Sequence, residues 1–398
     1  MSSCASSDDE SSSDDSPRLE LDIYKLLDRA TNSLHAKCMR AERFTRGASH
    51  EIYLLTFQAS PTAHERLARS GFVCIARFTR VRSATAAARD ASEIATVRYV
   101  RSHTDIPVPE VYHHDLDLDN TVGAPYVLME RIPGRHLYQI WDDLPLDHKK
   151  AALSQITSVI IQFASLRFDK IGSLNEHGVG PLVSPCFDLP RGPFNSTDEY
   201  LQSFVSTDQV ESPELVRLCQ QIQKELDGFL ALHADEPYLR QPFGMIHADF
   251  DGQNMLFVEQ PDGLPPKLSG VIDFEYSHTG PLYFLYEYPI FIQDVSWSKE
   301  LYADNALLRA HFVREISRGL PDAESRAAFI ACINAKNFVL NDFQRCFMSM
   351  KCSEHTLINL SNSYLEDLRD TTRPAYSGRP DYTPERYSES GELALLPL

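Results

Sequence analysis

Long apolar runs are missing from the chain. Nothing reaches the roughly 18 residues of a membrane-spanning helix, and the best candidate, Pro281–Ile292, is interrupted by Glu287. Positive charge is scarce: 38 Lys and Arg face 56 Asp and Glu, a formal net charge of −18. Phosphate-backbone binding needs a basic footprint, so a nucleic-acid partner is excluded. The eight cysteines are scattered and form no CxxC pair, which argues against zinc. Several sit in apolar runs and read as small buried hydrophobes, reduced in an intracellular setting. No GxSxG occurs, so a serine-hydrolase elbow has no support, and no internal repeat is present. The N-terminus is rich in Ser and Asp, the opposite of a signal or transit peptide. The expectation is a cytoplasmic globular protein with no membrane association and no obligate protein partner.

What is present divides the chain. A hydrophobic fraction of 43% can fill large cores, and 398 residues suggest two or three folded units. Residues 1–19 read as a disordered acidic tail; the first twenty residues carry six acids against Arg18 alone, net −5. Residues 372–398, a mixture of Pro, Tyr, Ser and charges, read as a second tail. Residues 20–130 look β-rich with one helix. Glu51–Phe57, Phe72–Phe78 and Tyr126–Glu130 are β-prone runs, Ser92–Ser102 has helical spacing, and the prolines of Ile106–Val111 require extended chain. Residues 131–371 are mainly helical, with helices expected over His148–Phe163, Pro213–His233 and within Asp322–Met348.

The most informative stretch is MIHADFDGQNMLFV (Met245–Val258), followed by KLSGVIDFE (Lys267–Glu275). Two apolar strands, Met255–Val258 and Leu268–Ile272, flank a turn around Asp262-Gly263. A hairpin centred between Gly263 and Leu264 pairs 255 with 272 and sets Asn254 beside Asp273. Asp249 lies on the loop entering the first strand. A carboxylate and an amide oxygen together suit magnesium, which takes oxygen ligands. Asp249 is placed to accept a proton from, or orient, an attacking hydroxyl. These are the parts of kinase-type phosphoryl transfer. Taken singly, each residue also fits a polar hairpin end with Asx turns; the H-x-D-x-x-x-x-N spacing with I-D-F after the hairpin favours the kinase reading.

HADFDGQN (His247–Asn254) and DFE (Asp273–Glu275) resemble the catalytic and metal-binding motifs of the aminoglycoside phosphotransferase-like kinases, and VIDFEYSHTGPLYFLYEYPIFI (Val271–Ile292) is similar to their large fungal branch. The resemblance covers roughly residues 38–345. It implies an α+β, bilobal protein-kinase-like fold, with a small β-rich N-lobe, a larger mainly helical C-lobe and nucleotide between them. It implies ATP and Mg2+ as cofactors and a small-molecule hydroxyl acceptor, with Asp249 as catalytic residue and Asn254 and Asp273 as metal ligands. Period-2 alternation puts Arg77 with Val73 and Ile75 on one strand face, and helical spacing puts Glu93 with Val97 and Val100. An Arg77–Glu93 ion pair would satisfy both, and it occupies the place of the Lys–Glu pair that orients nucleotide phosphates; a purely structural ion pair is the other reading. Arg in place of Lys departs from the general kinase signature.

The phosphate-covering loop, TRGASHEIY (Thr45–Tyr53), has one glycine, Gly47, with Ala48 and Ser49 beside it; it reads equally as an ordinary β-turn. YVLMERIPG (Tyr126–Gly134) resembles the interlobe hinge, where main-chain groups near Met129 and Glu130 would meet adenine. His113–Asn120 starts like a calcium loop, but Asn120 and Tyr126 stand where Gly and Glu are needed. Asp251, Glu275 and Glu287 are expected around the acceptor and favour a hydroxylated cation. The alternative function is a pseudokinase-like nucleotide- or ligand-binding protein without transfer.

Overall fold

A computed structural model describes residues 18–334, except 48, 60–70, 82, 188, 206–211, 234 and 294–300, together with residues 340, 358, 362 and 365. The acidic N-terminal residues and the C-terminal tail lie outside the described residues. The chain divides into two compact units: the chain up to Ala87 with Glu110–Arg131, and Ala88–Pro109 with the chain from Ile132 onward.

The first unit is a five-stranded antiparallel sheet backed by a helix. Its elements are α1 (Ile23–Leu34), β1 (Cys38–Arg46), β2 (His50–Phe57), β3 (Val73–Thr79), β4 (Val111–Asp115) and β5 (Tyr126–Glu130), with strand order β1-β2-β3-β5-β4. Asp22 caps α1 by accepting from the Lys25 amide at 3.1 Å. Leu26, Ala30 and Leu34, four apart, then present one apolar stripe. That stripe packs on Leu55, Phe57, Cys74, Ala76, Phe78, Tyr126 and Leu128. Alternation therefore leaves Arg77 on the sheet face opposite Ala76 and Phe78. Helix α2 (Ala84–His103) begins in this unit, where the Ser83 hydroxyl accepts from the Ala86 amide. It starts eight residues before the expected Ser92, because the alanine-rich run Ala84–Ala88 has high helix propensity.

The second unit holds the rest of α2 and the remaining elements. These are β6 (Arg135–His136), α3 (Leu137–Ile140), α4 (Leu146–Ser165), β7 (Leu174–Asn175), β8 (Gly178–Val179), α5 (Thr197–Gln202), α6 (Pro213–His233), β9 (Gly244–Ile246), β10 (Met255–Val258), β11 (Lys267–Val271), β12 (His278–Gly280), α7 (Leu301–Gly319) and α8 (Ala323–Asn334). Leu153, Ile156, Ile160 and Phe163 make α4 the spine of this core, with α7 packed along it.

The β10–β11 hairpin forms as expected, but out of register, by two residues near the turn and by one at its open end. Met255 pairs with Val271 and Leu256 with Gly270, and a bulge at Ser269 then pairs Phe257 with Leu268. The turn is a short 3-10 segment at Pro261–Gly263, where Asp262 and Gly263 adopt φ of 60° and 68°. A bulge adds one residue to one strand, a shift that alternation alone does not reveal. From α4, Gln155 clamps the hairpin: its carbonyl accepts from the Leu268 amide (2.8 Å) and its amide donates to the Pro266 carbonyl (3.0 Å).

Candidate active site

Strand pairing brings the two motifs together within the second unit. β9 runs into residues 247–254 and on to β10; the hairpin returns as β11, which runs into residues 272–277 and on to β12. β12 pairs back on β9 while β10 pairs with β11. The two motif loops thus lie side by side. The Ile272 amide donates to the Asn254 carbonyl at 2.9 Å, placing Asn254 opposite Ile272, one position from the register expected.

His247 stitches the loops. Its Nδ1 accepts from the Asp249 amide (3.2 Å), so Nε2 carries the proton and donates to the Ile272 carbonyl (3.0 Å). Burial pushes its pKa down to about 4, against backbone hydrogen bonding to Ile272 and the nearby Asp249 and Glu93 carboxylates. His247 is therefore neutral at physiological pH, with both ring nitrogens engaged.

The Asp249 carboxylate is held by two donors: Oδ2 accepts from Asn254 Nδ2 at 2.8 Å and from Gln253 Nε2 at 2.7 Å. Asn254 Nδ2 also donates to the Asp249 carbonyl at 2.9 Å. Asn254 is buried, whereas Asp249 is exposed. The amide nitrogen of Asn254 is thus committed to Asp249, while its side-chain oxygen and the Asp273 carboxylate are oxygen donors of the kind magnesium takes. Asp273 itself takes φ of 62°, a conformation rare outside glycine that clusters at functional sites. Beside it, Phe274 is fully buried, 4.6 Å from the His247 ring.

A cavity of about 580 Å³ opens onto this loop. Asp249, Asp251, Glu275 and Glu287 all line it, with aromatic walls that include Tyr200 and Phe250.

The profile of the phosphotransferase enzyme family, APH, matches residues 41–284. The chain belongs to that family. Solved structures agree on the fold: the streptomycin–ATP ternary complex of APH(2″)-IIa superposes with a TM-score of 0.51 at 14% identity, covering 88% of this chain and 97% of that one. The aminoglycoside phosphotransferase APH(4)-Ia gives 0.51 at 14%, covering 87% and 98%. The α+β, protein-kinase-like fold expected from the sequence is thereby established. Curated relatives match shorter stretches. A subtelomeric hrmA-associated cluster protein of Aspergillus fumigatus is 36% identical over 27% of this chain and 21% of its own length. Altered inheritance of mitochondria protein 9, mitochondrial, of Candida tropicalis is 32% identical over 33% of this chain and 21% of its own. The matches thus span about a fifth of these relatives. No described helix is long and apolar enough to cross a membrane.

The other sequence-derived APH site residues fall as follows. Arg77 is buried on β3, paired in register with Ile52 and Val127. Glu93 is buried on α2 in the second unit, near enough to His247 to raise its pKa. Gly47 and Ser49 form the β1–β2 turn: the Gly47 amide donates to the His50 carbonyl (2.8 Å), the Arg80 guanidinium donates to the Gly47 carbonyl (2.7 Å), and the Arg80 amide donates to the Ser49 carbonyl (2.9 Å). Ala48 is outside the described residues. Met129 and Glu130 end β5, where the Glu130 amide donates to the Glu110 carbonyl at 2.8 Å.

Two participants escaped the sequence reading. Gln253 shares the Asp249 carboxylate, and its only signal was adjacency to Asn254. Arg89, one helical turn before Glu93, is buried beside Glu275 of the DFE motif; the signal was a cation at i−4 from a buried carboxylate on the same helix face.

Proposed function

We propose that this APH-family chain is an ATP- and magnesium-dependent O-phosphotransferase that moves the γ-phosphoryl group to a hydroxyl of a small molecule. The observation that carries the reading is the Asp249 carboxylate, held by Asn254 and Gln253 in the lining of the acidic, aromatic cavity. Asp249 orients the acceptor hydroxyl and takes its proton as the oxygen forms its bond to the γ-phosphorus. The bond from that phosphorus to the β–γ bridging oxygen breaks, and ADP carries away the electron pair. Asn254 Oδ1 and the Asp273 carboxylate hold magnesium, which when bound supplies charge neutralisation at the phosphates. His247 keeps both loops in register and stays neutral. Arg77 positions the phosphates together with Glu93, the Gly47–Ser49 turn covers them, and main-chain groups near Met129 and Glu130 meet adenine.

The acceptor in this reading is a hydroxylated cation, because Asp251 and Glu287 line the cavity with Asp249 and an ammonium group would be drawn to them. Asp251→Asn should then raise KM for a cationic acceptor severalfold with little change in kcat. The cytoplasmic setting belongs to the same proposal and is checked by imaging the tagged full-length protein. Asp249→Asn and Asp273→Ala should each abolish transfer in a chain that still melts cooperatively; unimpaired turnover in either would refute the assignment. Metal-dependent ATP binding with no transfer to any acceptor would favour the pseudokinase-like alternative.

A further inference from the structure

Arg89 sits on α2 with 4% of its surface exposed, and its partner Asp90 with 1%. Arg89 Nε and Nη2 both donate to Asp90 Oδ1, at 3.0 and 2.9 Å. That pair alone neutralises both buried charges. The guanidinium nevertheless reaches further: Nη1 lies 3.5 Å from Glu275 Oε2, and its carbon lies 5.9 Å from the Tyr276 ring centroid. Desolvation works against the charged form, but Asp90, Glu275 and the Tyr276 hydroxyl outweigh it, so Arg89 remains protonated.

The segment it reaches is strained. Asp273 and Tyr276 take φ of 62° and 60°, conformations that side chains rarely adopt and that persist only when the surroundings enforce them. Phe274 anchors one side of this turn in the core against His247 and Phe163. Glu275 and Tyr276 are the other side, and both meet Arg89. We propose that Arg89 is a positioning residue that fixes the Asp273–Tyr276 turn through Glu275 and Tyr276, and so sets where the Asp273 carboxylate points. The glutamate of DFE is then an anchor, with its cavity-facing position secondary. Glu93, one turn along α2, lies near His247 on the neighbouring loop. One helix face therefore addresses both motif loops. The proposal rests on the phosphotransferase reading, since it assigns Asp273 to the metal.

The test uses the full chain with two mild variants, Glu275→Gln and Arg89→Lys, neither of which leaves Asp90 without a cation. ATP binding is measured by calorimetry with EDTA and with magnesium chloride, and amide hydrogen exchange is followed without ligands. Residues 273–277 should exchange faster in both variants while α4 stays protected. The gain in ATP affinity on adding magnesium should shrink about tenfold, with the metal-free Kd unchanged. Unchanged exchange at 273–277, or an undiminished magnesium gain, overturns the proposal. So does a metal-free Kd that weakens as much as the magnesium-bound one, which would indicate a general structural role. A wild-type chain that binds no ATP in either condition overturns the phosphotransferase reading and the metal half of this proposal; the exchange arm then upholds or overturns the anchor by itself.

Discussion

Asp249 is exposed, yet its carboxylate is fixed by Asn254 and Gln253. In the proposed reaction such preorganisation matters, because Asp249 would meet an acceptor hydroxyl at hydrogen-bond distance. Gln253→Ala, which removes one of the two donors, should lower kcat by about tenfold and leave KM for ATP unchanged, a split that steady-state kinetics reads directly. The buried histidines make a different prediction. Burial pushes His278 down to about 4 from an ordinary 6.5, as it does His247. The unfolded chain takes up these protons near pH 6.5 and the folded chain only near pH 4, so proton uptake favours unfolding. Their stabilising contribution is complete above pH 6.5 and is lost as pH falls toward 4. His278→Asn should flatten the slope of unfolding free energy against pH in that window, by up to about 1.4 kcal/mol per pH unit. Denaturant titrations at several pH values measure it; equal slopes in wild type and variant would contradict the assignment.

Among the elements, the β10–β11 hairpin carries the site, and its neighbours set its position. Gly134 lies against it with φ of 132°, and a Cβ there would fall 2.7 Å from the Phe257 carbonyl oxygen and 2.8 Å from Ser269 Oγ. Gly134→Ala should therefore cost about 2–3 kcal/mol of stability, read as a drop in the urea midpoint at constant m. The hairpin strands themselves were legible from sequence, because two short apolar runs flank the turn residues around Asp262-Gly263. The register was not: the turn forms at Pro261–Gly263, ahead of the expected centre, and the bulge at Ser269, which takes back one residue of that offset, involves a residue far away in sequence, its hydroxyl donating to the Pro133 carbonyl. α1 and β1 also went unread. β1 is largely exposed and polar, and its identity comes from pairing with β2 and not from its own pattern. Of the site, the residues on the two motif loops were legible because fixed spacing places them near one hairpin end. Arg89 was not, because its partners Glu275 and Tyr276 lie far along the chain.

Across the whole molecule the net charge is −18, so under the proposed function intake of an anionic nucleotide depends on a few local groups. The cavity beside Asp249 shares that acidity, which is why the proposal assigns it to a cationic acceptor. Salt should accordingly weaken capture of such an acceptor, seen as a KM that rises with ionic strength while kcat holds. The central claim is phosphoryl transfer through Asp249. It is tested most directly by incubating wild type and Asp249→Asn with γ-labelled ATP, magnesium and a pool of small hydroxylated amines and amino sugars, then separating the labelled products. The account predicts at least one labelled small molecule with wild type and none with Asp249→Asn. Identical product patterns from the two proteins, or no labelled product from wild type, would contradict it.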